Sequence, residues 1–492
     1  SIFGDHQDIM AVRQTGFAML VEGSVQEIMD ISAVAHLTAI KCRVPFINFF
    51  DGFRTSHEIK KIEVLEYDEL ASLVDMEAVR KFREFALNPD HPVTRGTAQN
   101  SDIYFQTREA LNKYYEDIPT VVEEYMSEIT KLTGREYHCF DYYGAEDADR
   151  VIITMGSSTK TVEEVVDFLN NRGEKVGVVK VRLYRPFSSE KLLAVIPKTV
   201  KKIAVLDRTK ELGSIGEPLY LDVLGAFADR ENTPLIIGGR YGLGGKDPYP
   251  SDIVAVYDNL AKRNPKNRFT IGIEDDLTHT SLRAIENIDM TPNGNKACKF
   301  WGIRTDKVME STESATKIIG DNTEMYVQGY STHDINQANG LTVTHLRYGN
   351  NSIESPYLID KIEFLACCNQ AYVSKYNMIK DLKKNGIFLL NTNWTKENLD
   401  EKLPSEMKRI IAQNNIQLYI INADEITMKI GLGENIGMAM TAAFFKLVGI
   451  MPIDEAVKYL KQSVEERYAK DGQEVINMYN KRIDEELHEI VK

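Results

Sequence analysis

Short apolar runs alternate with amphipathic stretches along the chain, which is the pattern of an α/β protein. Gly23–Ser24 punctuates the chain before a helix-like stretch reaching about Thr38, and Val44–Phe50 follows as a buried apolar run ending at Asp51–Gly52. Between Asp68 and Leu132 the pattern turns irregular. Helical pieces are interrupted around Asn88–Pro89, Pro92 and Gly96, as in an arm rather than a compact unit. From Arg150 the alternation is regular, and Arg150–Met155, Val176–Tyr184 and Lys202–Leu206 read as strands. The helix after the first strand carries Val162, Val165, Val166 and Leu169 on one face, with Thr161 and Glu164 as a capping box and Gly173 as its stop. Ser188–Ser189 opens another short helix. Strands alternating with helices predict a parallel sheet. After a stretch rich in Asp, Thr, Asn and Pro, Thr316–Ile319, Leu341–Leu346, Ile362–Ala366, Gly386–Leu390 and Gln417–Ile421 read as strands of another α/β unit. One of its helices is expected to end near Asn385–Gly386, and from Ile436 the chain reads as helical.

Composition narrows the class. The 492 residues suffice for about three domains, and 43% hydrophobic with 27% charged residues is a globular balance. The net charge of −14, without a basic stripe, argues against nucleic acid as a partner. No run approaches the roughly 20 apolar residues of a membrane span. The five cysteines (Cys42, Cys139, Cys298, Cys367, Cys368) are scattered, form no CxxC run and fit a reducing, cytoplasmic compartment. Cys367–Cys368 reads as a pair of small core residues at a strand end. The chain starts at Ser1 without Met and without a secretory signal, and is expected to be a piece of a longer chain.

Candidate chemistry is sparse. Asp51, Arg54, Thr55, Ser56, His57 and Glu58 follow a buried strand at its carboxyl end, where open α/β sheets place ligands and partners. The Met155–Ser158 turn reads either as a phosphate cradle or as ordinary helix capping, and capping is favoured because the Lys and glycines of a P-loop are missing. Gly238–Gly239 and Gly242–Gly245 read as turn glycines and do not spell G-x-G-x-x-G. No Ser-His-Asp order, HExxH or paired-carboxylate spacing stands out, and the nine histidines are isolated.

Longer motifs say more. SIFGDHQDI (Ser1–Ile9), VPFINFFDGFRTSHEI (Val44–Ile59), RGTAQNSDIYFQ (Arg95–Gln106), VKVRLYRPF (Val179–Phe187), VLDRTKE (Val205–Glu211), EPLYLDV (Glu217–Val223), GRYGLG (Gly239–Gly244), FTIGIEDD (Phe269–Asp276) and KIIGDNT (Lys317–Thr323) resemble pyruvate:ferredoxin (flavodoxin) oxidoreductases in order and spacing. The resemblance implies an enzyme using thiamine diphosphate, Mg2+ and [4Fe-4S] clusters. Such an enzyme oxidatively decarboxylates pyruvate with coenzyme A to acetyl-CoA and reduces ferredoxin or flavodoxin. It further implies three parallel-sheet-based units of thiamine-enzyme type. Residues 1–137 would be a partial pyrimidine-type domain, 138–275 a transketolase C-terminal-like domain, 276–295 a linker and 296–492 a gamma-type domain.

The family's substrate-contacting Thr and Arg and its thiamine-activating Glu would precede Ser1, and its cysteine-rich and diphosphate-binding parts would follow Lys492. No catalytic residue of the family therefore falls on this sequence, none of the cofactors is expected to be held by it alone, and it is expected to be inactive alone. Missing domains of the same chain or separate subunits are the implied partners, in a homodimer, in the cytoplasm or a hydrogenosome-like organelle. The polar loop with Asp51, Arg54, His57 and Glu58 is expected at a domain interface, as is His6, an orienting hydrogen-bond partner near the missing half of the thiamine site.

The gamma-type region departs from the family after Phe300–Gly302. There IRTDKVMES (Ile303–Ser311) replaces a glycine-rich loop, with Asp306 alone matching the coenzyme A loop. Asn336 and Gln337 stand where the family carries cations, so weak coenzyme A binding is expected, with Arg304 and Lys307 as possible replacements. Two other readings stay open: a non-catalytic homologue acting as a structural or interaction subunit, and an oxidoreductase for another 2-oxoacid.

Overall fold

The computed structural model describes residues 4–94, 98–284, 288–303, 308–334, 340–430, 436–470, 472–486 and 490–492. The chain divides into two compact units, one of Ser1–Ser56, Ile62–Ile288 and Glu354–Tyr357, the other of His57–Lys61, Asp289–Ile353 and Leu358–Lys492. The spans 1–137 and 138–275 thus lie almost wholly in one unit.

The first unit holds β1 (Ala18–Val21) and β2 (Phe46–Phe49), then, after β3 (Ile59–Lys60) has entered the other unit, β4 (Phe140–Gly144), β5 (Arg150–Thr154), β6 (Val176–Val181), β7 (Leu183–Arg185), β8 (Lys202–Asp207), β9 (Leu235–Arg240) and β10 (Phe269–Thr270). β1 is the centre of a small sheet, parallel to β2 and antiparallel to β7. The larger sheet runs β10-β9-β8-β5-β6-β4, parallel throughout except for β4. Its inner strands are buried on both faces, which is why they read as unbroken Val/Ile runs. The run Val176–Tyr184, expected as one strand, breaks at Arg182 and passes from the large sheet to the small one.

The helix Ser158–Asn170 buries Val162, Val165, Val166 and Leu169 against the sheet, at the spacing the sequence showed. It begins a turn earlier than expected. Thr161 is therefore buried inside it, and Glu164 caps nothing; its carboxylate accepts from the hydroxyls of Ser355 and Tyr357. Gly238 and Gly239 lie in β9 rather than in a turn. A Cβ on Gly239 would stand 2.2 Å from the Phe269 ring, so the ring takes the space. Residues 66–116 form four short helices, Tyr67–Ser72, Met76–Glu84, Tyr104–Glu109 and Asn112–Glu116, of which only Ala78 is buried.

The second unit is one sheet, formed by β3 with β11 (Lys296–Ile303), β12 (Tyr326–His333), β13 (Leu341–Gly349), β14 (Ile362–Cys367), β15 (Leu382–Asn391) and β16 (Gln417–Ile421). The order is β16-β15-β14-β11-β13-β12-β3, with β16, β15, β14 and β11 parallel and the rest antiparallel. Thr316–Ile319 is not a strand; it lies in the helix Val308–Asn322. The β-branched residues misled, but Thr312 and Thr316 return their hydroxyls to the carbonyls of Val308 and Thr312, as helical threonines do. Nor does a helix end at Asn385–Gly386, which lie inside β15. The helix Gly437–Val448 is buried over nine residues, and Phe444 packs edge-on against Phe300 and Phe364 at 5.3 and 5.1 Å.

Candidate functional site

Polar chemistry in the first unit concentrates at the carboxyl ends of β1, β2, β5 and β8. The chain leaves β2 at Phe49 and places Asp51 under the turn Gly156–Ser157 that opens the helix Ser158–Asn170. One carboxylate oxygen accepts the Ser157 amide at 2.7 Å and meets Arg208 Nη1 at 3.0 Å, and the other lies 2.6 Å from His6 Nε2. An ionised carboxylate only accepts, so Nε2 carries a proton, while Nδ1 has no partner among the described residues. Burial pushes the Asp51 carboxyl up, but Arg208, His6 and Ser157 outweigh it and hold the group well below the usual carboxylate range.

The chain of charges continues. Arg208 Nη2 reaches Asp247 at 3.1 Å, and Asp247 meets Arg54 at 3.6 Å. His6, Asp51, Arg54 and Arg208 are each at most 2% exposed. Glycine is required at two places here. Gly156 has φ +77, and a Cβ on it would crowd both Asp51 oxygens at 3.0 and 3.1 Å; a Cβ on Gly4 would sit 1.9 Å from the Gly52 carbonyl oxygen.

A second buried cluster lies on the other side of the same turn. Arg182 holds Glu27 with two nitrogens, at 2.8 and 3.2 Å, and Asp141 at 2.7 Å. Lys160 lies 3.4 Å from Glu27, whose carboxylate also accepts the Gly23 amide at 2.7 Å. Burial raises Glu27, yet Arg182 and Lys160 keep it far below its ordinary value. Glu22, beside it and fully buried, has neither carboxylate oxygen hydrogen-bonded among the described residues. Burial and the neighbouring Glu27 raise its pKa well above the ordinary glutamate value, against the opposing pull of Arg182. Asp207, at the end of β8, accepts the amides of Leu219 and Tyr220, and burial pushes it up to about 7 despite them.

The structure brings together His6, Asp51 and Arg54 of the residues singled out from sequence. His57 is exposed, Glu58 is partly buried, and both fall in the other unit as the chain enters β3. Asp306, Arg304, Lys307, Asn336 and Gln337 lie outside the described residues. Arg208, Asp247, Glu22, Glu27, Asp141 and Arg182 were missed by sequence reading. The signal for Arg208 was present, a charged residue directly after an apolar strand. The remaining charges lie on a helix, a strand and loops, mostly far apart in sequence, and only the tertiary fold pairs them.

These residues do not fit a diphosphate. The helix N-terminus that could take an anion holds Asp51, and Arg208 and Arg54 face carboxylates. Among the described residues no group of three His, Cys, Asp or Glu could hold a metal ion. The five cysteines are free, four of them buried, which suits packing rather than cluster ligation. No step of a reaction is assigned to this cluster; its geometry fixes the segments of residues 4–56 against the helix Ser158–Asn170 and the end of β8.

Three family models match in order. Residues 1–127 match the thiamine diphosphate-binding region of pyruvate flavodoxin/ferredoxin oxidoreductases, 148–253 match pyruvate:ferredoxin oxidoreductase core domain II, and 301–484 match pyruvate ferredoxin/flavodoxin oxidoreductase. The chain is 58% identical over 493 aligned residues to a pyruvate-flavodoxin oxidoreductase of Enterobacter agglomerans, covering 100% of this chain and 42% of that protein. It is 54% identical to the pyruvate:ferredoxin oxidoreductase of Moorella thermoacetica, with 99% and 42% covered. With a pyruvate dehydrogenase [NADP(+)] of Cryptosporidium parvum it shares 44% identity, over 100% of this chain and 26% of that protein. The chain thus spans less than half the length of these relatives. No helix among the described residues is long and apolar enough to cross a membrane.

Proposed function

This chain belongs to the pyruvate:ferredoxin (flavodoxin) oxidoreductase family, and from that membership we propose that it is the middle portion of an enzyme converting pyruvate and coenzyme A to acetyl-CoA and CO2. The two electrons released pass to ferredoxin or flavodoxin, the proposed partner. The observation that carries this reading is the 58% identity over the whole chain.

Within that enzyme the chain's residues position rather than react. Asp51, Arg208 and Asp247 lock the loops at the carboxyl ends of β2 and β8, and Glu27 with Arg182 locks β1 against the break between β6 and β7. Thiamine diphosphate, Mg2+, the [4Fe-4S] clusters and the catalytic groups are assigned to the rest of the longer protein. Coenzyme A is assigned mainly there too, with weak binding to this chain alone. We place the enzyme in the cytoplasm or a comparable reducing compartment, as a homodimer.

The test is acceptor reduction by the full-length protein under anaerobic conditions. Viologen reduction that needs both pyruvate and coenzyme A, and is at least about tenfold slower with 2-oxoglutarate, supports the proposal. Equal rates on 2-oxoglutarate, or no reduction by folded, cofactor-loaded protein, overturn it.

A further inference from the structure

The sheet of the second unit ends at β16 on one side. Pairing with parallel β15 engages alternate residues of β16, and the residues between them turn their amides and carbonyls to the open side. The Thr392 amide reaches the Ile421 carbonyl at 2.9 Å on the β15 side, so Ile420 and Leu418 are the residues that face outward. Ile420 is already taken. Its amide donates to the Val491 carbonyl at 2.8 Å and its carbonyl accepts the Val491 amide at 3.0 Å, which makes an antiparallel bridge. The outward amide and carbonyl of Leu418 have no such partner among the described residues.

The side chains fit the same register. Lys492 stands opposite Tyr419, its ammonium 5.7 Å from the centre of that ring and 3.4 Å from Gln417 Oε1. At Lys492 the chain therefore runs along β16 towards the amino end of that strand, and Leu418 comes next. Ile420 and Leu418 both pack on one core of the unit, the one that holds Leu365, Phe388 and Leu390. A residue placed opposite Leu418 points to the same face of the sheet as Val491.

We infer that the open edge of β16 binds the polypeptide that follows Lys492 in the longer protein, as an added antiparallel strand whose first residue exchanges both backbone hydrogen bonds with Leu418. The inference rests on the reading of this chain as the middle portion of a longer protein, and not on the reaction proposed for it. A second copy pairing edge to edge would have to displace Val491 and Lys492, which already hold this side of β16. Main-chain pairing of this kind fixes the connection to the sheet, so the following part of the protein is anchored to the second unit rather than tethered freely. It also covers an edge that would otherwise template unrelated strands.

Amide hydrogen exchange at single-residue resolution on the full-length protein tests it, and reads the same whether or not that protein oxidises pyruvate. Protection is expected at Leu418 as well as at Ile420. Val491→Pro removes the donor to the Ile420 carbonyl and disfavours the extended pairing, so both amides are expected to exchange at least about tenfold faster. Val491→Ala keeps the amide and is expected to keep both protected. Leu389 in β15, unchanged in either variant, shows that the sheet is intact. Exchange of Leu418 at the rate of an open peptide in the unsubstituted protein overturns the inference, as does unchanged Leu418 protection in folded Val491→Pro. Leu418 protection that grows with protein concentration overturns it in favour of a second copy.

Discussion

Asp51 gives the plainest case of a residue whose role is set by what surrounds it. Its carboxylate is fully buried, yet ionised, because a guanidinium, an imidazole N–H and a backbone amide replace its water. Removing one member strands the others. Asp51→Ala is expected to cost about 3–5 kcal/mol in chemical denaturation, and Arg208→Met a similar amount. The double variant is expected to cost clearly less than the sum, which a double-mutant cycle reads directly. Glu22 behaves in the opposite way. Its folded pKa is raised, so between the unfolded value of about 4.3 and that raised value the folded state holds a proton that the unfolded state has lost. Stability therefore falls as pH rises through that window, by up to about 1.4 kcal/mol per pH unit from this group. Glu22→Gln is expected to flatten that slope and to raise stability at neutral pH; an unchanged slope in urea titrations from about pH 5 to 8 would contradict the assignment. In sequence Asp51 was legible because it follows a buried run at a strand end. Glu22 was not, since a charged residue after AMLV looks like an ordinary exit to solvent.

At the scale of elements, the helix Ser158–Asn170 shows how sequence ambiguity resolves. Its N-terminus could have received a phosphate or a side chain, and the fold supplies a side chain from 106 residues away. Gly156→Ala is expected to destabilise strongly, because a positive φ and a carboxylate contact both exclude a Cβ. Gly173→Ala, with positive φ but open space around it, is expected to cost less, about 1 kcal/mol. Equal costs would mean that the Asp51 contact contributes nothing. Most strands were legible as apolar runs. Two misses, Thr316–Ile319 and Gly238–Gly239, are governed by close packing that local composition does not reveal, of Gly329 on Thr316 in one case and of Tyr220 and Phe269 on the two glycines in the other. The arm expected over Asp68–Leu132 is irregular only as far as residue 116; Ile118–Thr133 is a regular helix that buries Val122, Met126 and Ile129, so the reading fails there. In the irregular part Tyr67, Phe82, Leu87 and Phe105 are each at least 65% exposed. Trypsin is expected to cut the 492-residue chain first within residues 80–113, and the full-length protein more slowly at the same sites if the arm is covered in it.

For the whole molecule, the family motifs carried what periodicity could not. Spacing and composition led to an α/β protein without a placed catalytic residue, whereas motifs spread from Ser1 to Thr323 identified the family. In the structure the clustered charges of the first unit pair with one another, and the helix N-terminus that could take an anion holds Asp51. The most direct test of that account is release of labelled CO2 from [1-14C]pyruvate with thiamine diphosphate, Mg2+ and coenzyme A. It is run in parallel on the full-length protein and on the folded 492-residue chain. The account expects turnover by the full-length protein and none above the protein-free blank by the chain alone. Thiamine-dependent CO2 release by the 492-residue chain would contradict it.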